Sequence, residues 1–122
     1  MTSRAFDAAD HIVQQQFVTN RVANAQLEPR AAVAAFSGDN LTLHTGSQGS
    51  FVYKMGLAGI LGMAPEKIRV VTRDVGGGFG PRGALDREYV LTAWAAKRMG
   101  RAVKWTSDRS EAFVSDHQGR DL

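Results

Sequence analysis

Apolar and polar positions change their spacing several times along the chain, and each change indicates a new element of secondary structure. Apolar residues at every second position favour a strand, whereas spacings of three and four favour a helix. The pattern predicts the order β-β-β-α-β-α-β, with strands over residues 11–30, 31–36, 41–45, 68–71 and 101–107 and helices over residues 51–61 and 84–99. Because no repeat or linker interrupts this order, residues 1–122 are expected to form one α+β domain, with a mixed sheet and two main helices.

The clearest pairing of strands is predicted around SGDN at residues 37–40. An apolar run precedes this sequence, and Leu41, Leu43 and Thr45 alternate with polar residues after it. A short turn-forming sequence between two such runs is typical of a β-hairpin.

Residues 11–30 alternate less regularly than the hairpin strands do. Their apolar positions include Val13, Phe17, Val18 and Val22. Loose alternation of this kind favours a partly exposed strand over a helix. Pro29 disfavours helical geometry at Glu28, so the chain is expected to be extended or to turn there.

The first predicted helix is indicated by an apolar stripe and by its end signals. The stripe consists of Phe51, Met55, Ala58 and Leu61. Ser47 or Ser50 is available as the N-cap, and Gly62 is expected to end the helix. Gly56 and Gly59 each weaken a helix by about 1 kcal/mol, so another element is expected to pack closely against them.

The second predicted helix has an apolar face formed by Leu85, Tyr89, Ala93 and Ala96. Gly100 is expected to end this helix. Because few polar residues follow Tyr89, the helix is expected to be buried on most sides. After the next strand, Ser107 or Asp108 can cap a final helical turn through Glu111.

Composition and charge narrow the possible functions. Of the 122 residues 43% are hydrophobic and 22% are charged, which is typical of a soluble globular domain. No apolar run reaches the roughly 18 residues that a membrane-spanning helix needs. The net charge of +3 comes from scattered basic residues, so nucleic-acid binding is not expected. The opening MTSRAFDAAD lacks the basic and apolar regions of a secretory signal, so a cytoplasmic location is expected.

Metal ligands are sparse in this sequence. The absence of cysteine excludes disulfides, thiolate ligands and iron–sulfur ligation by this chain. The three histidines, His11, His44 and His117, share no ligand spacing. No side chain is therefore expected to bind a metal ion.

The sequence DVGGGFGPRGALDREY at residues 74–89 places five glycines within eight positions. The dinucleotide-binding fingerprint G-x-G-x-x-G is satisfied by Gly78, Gly80 and Gly83. Asp108 lies where a ribose-binding acid would be sought. Against that interpretation, Pro81 lacks an amide donor, the preceding strand is fourth in the order, and the extra glycines lie upstream.

A turn with positive φ angles is the purely structural alternative for the same glycines. Three consecutive glycines, Gly76, Gly77 and Gly78, lose more chain entropy on ordering than other residues do. An ordered loop with this sequence therefore indicates that a side chain there would collide with a neighbouring group.

Several separated segments of the chain resemble one family. They are EPRAAVA at residues 28–34, TGSQGSF at 45–51, VGGGFG at 75–80, VKWTSDRSE at 103–111 and GRD at 119–121. In this order and spacing they resemble the molybdenum-binding large subunit of the xanthine dehydrogenase and aldehyde oxidase family. The bacterial branch around the large subunit of aerobic carbon monoxide dehydrogenase is the most similar. Because members of the family are several-fold longer, the chain is expected to correspond to the first molybdopterin-contacting part of such a subunit.

The resemblance implies a cofactor-binding role for Gln48, Gly77, Gly78, Phe79 and Gly80. Gln48 matches the glutamine that hydrogen-bonds the apical oxo ligand of molybdenum. The glycine loop matches one whose backbone lies against the cofactor. The metal of the family is held by the pterin dithiolene and its general base lies far downstream, so neither a metal ligand nor a catalytic residue is assigned to this chain.

After the glycines the sequence departs from the xanthine oxidase pattern, in which Gly-Lys-Glu directs a glutamate toward a purine. Those positions here hold Pro81, Arg82 and Gly83. The departure argues against purine recognition of that type and leaves Glu88 as at most a weak substitute. Glu28 and Arg30 match a motif interpreted as a buried or interdomain ion pair, and residues 108–111 match a capping and ion-pair element.

The resemblance also implies a function, that of an oxidoreductase fragment. Its parent would oxidise an aldehyde, a heterocycle or carbon monoxide with water as the oxygen source. The implied cofactor is a molybdopterin-type molybdenum cofactor in its cytosine dinucleotide form, and the implied partners are the remainder of the molybdenum subunit and iron–sulfur and flavin subunits or domains. The alternative is a non-catalytic domain that serves in binding or assembly, and apolar surface left exposed is expected to favour self-association.

Overall fold

The computed structural model describes residues 2–120, which form four helices and four strands. The helices are α1 (Thr2–Asp7), α2 (Ser50–Leu61), α3 (Arg87–Met99) and α4 (Arg109–Ser115). The strands are β1 (Ala31–Ser37), β2 (Asn40–Thr45), β3 (Ile68–Val71) and β4 (Val103–Thr106). Two short 3₁₀ turns, Pro65–Lys67 and Pro81–Gly83, lie before β3 and α3. The α+β class with two main helices is confirmed.

The four strands form one mixed sheet in the order β3-β2-β1-β4. β1 is antiparallel to β2 and β4, whereas β2 is parallel to β3. The predicted hairpin is present, with Ser37 opposite Asn40 and Gly38 at a φ of +56° in the turn. α2 connects the parallel strands β2 and β3, as such a crossover requires. The carboxyl ends of β2 and β3 therefore lie side by side.

One layer of helices covers one face of the sheet. α3 lies over β1 and β4, and α2 lies over β3. The covered side chains are Ala32, Ala34, Leu41, Leu43 and Ile68 from the sheet and Tyr53, Leu57, Ala58, Tyr89, Ala93 and Ala96 from the helices. Because a fully buried leucine stabilises a fold by roughly 1.5–3 kcal/mol, the three core leucines contribute much of the packing energy.

The buried face of α2 differs from the predicted stripe. Phe51 is 70% exposed and Met55 is 46% exposed, whereas Tyr53 and Leu57 are fully buried. The helix is apolar on nearly all sides, so its spacing does not select a face. The contacts of the helix with β3 and α3 select it instead.

The ends of α2 also depart in part from the prediction. Gly49 is the N-cap and makes no side-chain hydrogen bond, since Ser47 is buried and bonds to Thr72 instead. Gly62 ends the helix as predicted, in the left-handed conformation. A Cβ atom on Gly56 would lie 2.9 Å from Cδ2 of Leu85, so the expected close packing is present there. No atom lies within 4 Å of a Cβ built on Gly59, which has no such neighbour.

α3 begins later and is less covered than predicted. The turn at Pro81–Gly83 delays its start to Arg87, and Asp86 is its N-cap. Its predicted inner face is buried, but Leu91 is 58% and Trp94 is 53% exposed on the opposite side. The prediction of burial on most sides is therefore wrong for the part of the chain that the structure describes.

The first predicted strand, over residues 11–30, is absent. Within that range only Val22 pairs with another segment, in an isolated bridge to Gly119. Val13 and Phe17 are 83% and 82% exposed. A strand needs an adjacent strand to accept and donate its backbone hydrogen bonds. Among residues 2–120 no edge of the sheet lies alongside this segment. The predicted order therefore loses its first strand.

Candidate functional site

The site lies where the carboxyl ends of β2 and β3 meet. The chain leaves β2 into residues 46–49 and leaves β3 into residues 72–86. Because the two strands are parallel neighbours, the two loops emerge at the same edge of the sheet. Such edges are where α/β sheets commonly bind ligands. This arrangement brings Gln48 and the glycine loop, residues 76–80, together.

Gln48 is hydrogen-bonded directly to the glycine loop. The amide N–H of Gly80 donates to Oε1 of Gln48 over 2.7 Å. The backbone N–H of Gln48 donates to the carbonyl oxygen of Arg82 over 2.9 Å. With Oε1 engaged by Gly80, the NH₂ end of the exposed Gln48 carboxamide makes no hydrogen bond to the described residues and can donate to a ligand.

Close approach within the chain explains two of the glycines. A Cβ atom on Gly78 would lie 2.6 Å from Cγ and Cδ of Gln48. A Cβ atom on Gly76 would lie 2.5 Å from Cβ and 2.8 Å from the backbone nitrogen of Glu28. The expected collision is therefore present, and at these two positions it is with this chain itself. Gly77 and Gly80, with φ angles of +110° and +103°, need glycine for their backbone conformation.

Phe79 lies at the tip of the glycine loop with its backbone in the left-handed region, at a φ of +51°. This conformation is uncommon for a bulky residue and costs on the order of 1–3 kcal/mol. Phe79 is 69% exposed, so it is not a core aromatic. Strained residues of this kind are concentrated at binding sites.

The glycine loop also presents free backbone donors. The amide N–H groups of Gly77, Gly78 and Phe79 bond to no acceptor among the described residues. Consecutive free amides in a loop with left-handed residues form a concavity suited to anionic or oxo groups. The loop therefore fits a ligand that accepts hydrogen bonds, such as the oxo and dithiolene groups of a molybdenum cofactor.

Three side chains, those of Glu28, Tyr53 and Arg82, hold the backbone at or next to the glycine loop by hydrogen bonds. None of the three was assigned this role from the sequence. Arg82 is fully buried and donates from Nη2 to the carbonyl oxygen of Glu28. Its own carbonyl oxygen accepts a 2.9 Å hydrogen bond from the Tyr53 hydroxyl. Burial raises the pKa of Tyr53, which keeps the hydroxyl protonated as a donor. The carboxylate of Glu28 accepts from the N–H of Gly76 over 2.9 Å.

Glu28 and Arg30 do not form the ion pair that the EPR motif suggested, because they point to different neighbours. Arg30 is 2% exposed and forms its own cluster. Its partners are Asp116 at 2.6 Å, Glu88 at 2.8 Å, Ser115 at 2.9 Å and Asp86 at 3.3 Å, with the ring of Trp105 at 5.4 Å. We call these residues the Arg30 cluster.

The electrostatics of the Arg30 cluster favour the charged form of the Arg30 guanidinium. Burial lowers the pKa of Arg30, but the hydrogen bond with Glu88 and the charge of Asp86 raise it more, so the net shift is upward. Burial raises the pKa of Asp86 despite the nearby guanidinium. Glu88 accepts a 2.8 Å hydrogen bond from Nη1 of Arg30, so its carboxylate belongs to this cluster.

The dinucleotide interpretation of the glycines is not supported by this fold. The residues after Gly80 form a 3₁₀ turn, and α3 begins only at Arg87. β3 and β4 lie at opposite edges of the sheet, whereas a dinucleotide fold places such strands next to each other. Asp108 caps α4 by accepting from the N–H of Glu111 at 2.6 Å, as the capping prediction required.

The histidines lie in separate places: His11 in the segment between α1 and β1, His44 in β2 and His117 after α4. Residues 2–120 contain no group of three or more His, Asp or Glu side chains placed to hold a metal ion. Among the same residues, no helix is long and apolar enough to cross a membrane.

A family model for the molybdopterin cofactor-binding domain matches residues 2–122. The chain belongs to this family. It is 34% identical to subunit gamma of the 6-hydroxypseudooxynicotine dehydrogenase complex of Paenarthrobacter nicotinovorans, covering 98% of this chain and 15% of that protein. It is also 34% identical to the carbon monoxide dehydrogenase large chain of Hydrogenophaga pseudoflava, again covering 98% of this chain and 15% of that protein.

A solved structure agrees with this family assignment. Quinoline 2-oxidoreductase from Pseudomonas putida 86 matches with a TM-score of 0.87 and 29% identity, covering 99% of this chain and 16% of that one. The chain spans about 15% of the length of the relatives it matches. The resemblance to the carbon monoxide dehydrogenase branch is confirmed by these matches. Asp121 of the GRD motif lies outside the described residues.

Proposed function

We propose that this chain forms one wall of the molybdenum cofactor site in a larger molybdenum hydroxylase-type oxidoreductase. The hydrogen bond from the Gly80 amide to Gln48, beside three free backbone donors, is the observation that carries the proposal. When bound, the cofactor would supply oxidation of a carbon centre with water as the oxygen source. Aldehydes, heterocycles and carbon monoxide are the proposed substrate classes.

Each candidate residue has a separate task in this proposal. The Gln48 NH₂ donates to an oxo group without adding charge, since the side chain is a neutral amide. The free amides of Gly77, Gly78 and Phe79 donate to the cofactor, and no Cβ atom at Gly77 or Gly78 obstructs its approach. The chain thus binds and orients, and the general base is proposed to come from another part of the subunit.

The proposal extends to the form of the cofactor and to partners. We propose the cytosine dinucleotide form, with electrons passing to iron–sulfur and flavin subunits or domains. In support of partner subunits, the names of two matched relatives designate a subunit gamma of a dehydrogenase complex and a dehydrogenase large chain. The remainder of the molybdenum subunit would supply the other walls of the site.

Gln48→Ala tests the role of the carboxamide in a molybdenum subunit that carries this chain. Reduction of the molybdenum centre by substrate is expected to slow, while molybdenum and pterin contents stay near those of the wild type, because the glycine loop remains. Rapid-mixing absorbance and elemental analysis measure the two quantities. Gln14→Ala, at an exposed glutamine between α1 and β1, is the matched control. Loss of cofactor would make Gln48 a binding residue, and an unchanged rate would contradict the assignment.

The isolated chain is expected to fold without catalysing turnover, because it supplies only one wall of the site. Circular dichroism and dye-linked oxidation of an aldehyde or heterocycle measure the two properties. Stoichiometric molybdenum in the purified chain together with such oxidation would contradict this expectation.

A non-catalytic assembly module is the second candidate function. The exposed apolar side chains of residues 11–27 favour it, with Phe17 at 82% and Leu27 at 91% exposure. Exposed apolar side chains that cluster on a surface often mark a site of protein–protein interaction. A dimer that buries these side chains, with no affinity for molybdopterin, would favour this candidate over the first.

A further inference from the structure

Both ends of the segment from Gly76 to Arg82 are attached to one residue, Glu28. At the first end, Glu28 makes two hydrogen bonds to Gly76. Its carboxylate accepts from the Gly76 N–H at 2.9 Å, and its backbone N–H donates to the Gly76 carbonyl oxygen at 3.4 Å. The missing Cβ of Gly76 is what allows this approach, since a Cβ there would lie 2.8 Å from the Glu28 nitrogen.

At the second end, Arg82 reaches back to the same residue. Its Nη2 donates to the carbonyl oxygen of Glu28, across a sequence separation of 54 residues. Its own carbonyl oxygen accepts from the backbone N–H of Gln48 and from the hydroxyl of Tyr53. Arg82 therefore joins Glu28, the loop that carries Gln48, and helix α2.

The environment of Arg82 is unfavourable for a residue that serves only stability. Its side chain is fully buried, and Nε and Nη1 have no hydrogen-bond partner among the described residues. Within the same part of the chain, no carboxylate forms a salt bridge with it. A buried cation without an ion partner destabilises a fold, and apolar replacements at such positions are often neutral or stabilising.

We infer that Glu28 and Arg82 are positioning residues that hold both ends of the glycine loop. With its ends fixed, the loop keeps the Gly80 N–H on Oε1 of Gln48 and Phe79 in its left-handed conformation. The inference rests on the proposed function only in assigning cofactor binding to the loop. The geometry itself is a property of this chain without any cofactor, and it can be tested separately.

Amide hydrogen exchange of the 122-residue chain, followed by NMR, tests the inference. In Arg82→Met the amides of Gln48 and Gly80 are expected to exchange about tenfold faster, which corresponds to the loss of one hydrogen bond. The core amide of Leu43 is expected to change less than about twofold, and the midpoint of thermal unfolding to stay or rise. Arg101→Met, at an exposed arginine outside this network, is the control.

Conservative variants separate positioning from general folding. Arg82→Lys keeps a donor for Glu28 and is expected to restore protection at Gly80 to within about threefold of the wild type. Glu28→Gln keeps an acceptor for the Gly76 N–H, so its amides should exchange as in the wild type. In Glu28→Ala the amides of Gly76 and Gly80 should exchange faster. If Arg82→Met fails to fold, the Glu28→Ala and Glu28→Gln pair decides the matter.

Unchanged exchange at Gln48 and Gly80 in both Arg82→Met and Glu28→Ala would overturn the inference. Equal acceleration at Leu43 would overturn it as well, since that result marks a general structural role. A loosened loop in a subunit whose molybdenum reduction is unaffected would support the positioning role and contradict the proposed function of the loop. The two failures are therefore distinguishable.

Discussion

Replacing Arg30 with methionine is expected to lower the free energy of unfolding by roughly 3–5 kcal/mol. The guanidinium is 2% exposed and bonds two carboxylates, Glu88 at 2.8 Å and Asp116 at 2.6 Å. Without it these carboxylates and Asp86 would stay close together with no cation between them. Urea unfolding followed by circular dichroism measures the change. Lys67→Met, which breaks the exposed pair with Asp39, is the control and is expected to change stability little.

The pH dependence of the same variant identifies the cause. In the wild type, burial raises the pKa of Asp86 even with Arg30 present. Without Arg30, the folded-state pKa of Asp86 should rise further above its unfolded value, and the pKa of Glu88, which the Arg30 hydrogen bond and charge help to lower, should rise as well. A raised pKa means that stability is lost above the unfolded pKa and recovered as pH falls. The difference in the free energy of unfolding between the wild type and Arg30→Met should therefore become smaller from neutral pH toward about pH 5. A difference that does not change with pH would indicate lost packing instead.

Gly76→Ala is expected to destabilise the chain by roughly 1–3 kcal/mol, the usual cost of forcing extra atoms into a filled space. The new methyl group would lie 2.5 Å from Cβ and 2.8 Å from the backbone nitrogen of Glu28. The backbone of Glu28 cannot move away cheaply, because its carbonyl oxygen is held by Arg82. Thermal and urea unfolding measure the loss.

Gly83→Ala is the matched control for this substitution. A Cβ atom built on Gly83 has no neighbour within 4 Å, and the residue has no positive φ angle. The control is expected to be neutral within about 0.5 kcal/mol. Equal losses in the two variants would show that the close approach of Gly76 to Glu28 does not constrain the loop.

Local signals explain which elements the sequence predicted well. The hairpin is determined by SGDN and by alternation on either side, and Gly62 and Gly100 both end their helices in the left-handed conformation. Residues 11–30 carry an alternating pattern too, but a strand also requires a partner chain. The face of α2 was predicted wrongly because apolar residues surround that helix, so only its neighbours decide which side is buried.

The candidate site was predictable only in part for a similar reason. The resemblance implied that Gln48 and the glycine loop belong together, and the parallel pairing of β2 and β3 accounts for their proximity. The supports beneath the loop depend on contacts between distant residues, such as Glu28 with Arg82. No local pattern distinguishes Arg82 from a surface arginine, and only its complete burial reveals its role.

Because β2 and β3 are parallel, the site at their carboxyl ends lies at the opposite end of the sheet from the β1–β2 turn and the α2–β3 connection. The hairpin turn and the connection after α2 meet at the far end of the sheet, where Gly38, Gly62, Met63 and Lys67 line a shared cleft. Insertions or deletions in that connection would alter the far cleft, while the register of β2 and β3 would keep Gln48 opposite the glycines. The domain can therefore vary in length at one end without disturbing the residues at the other.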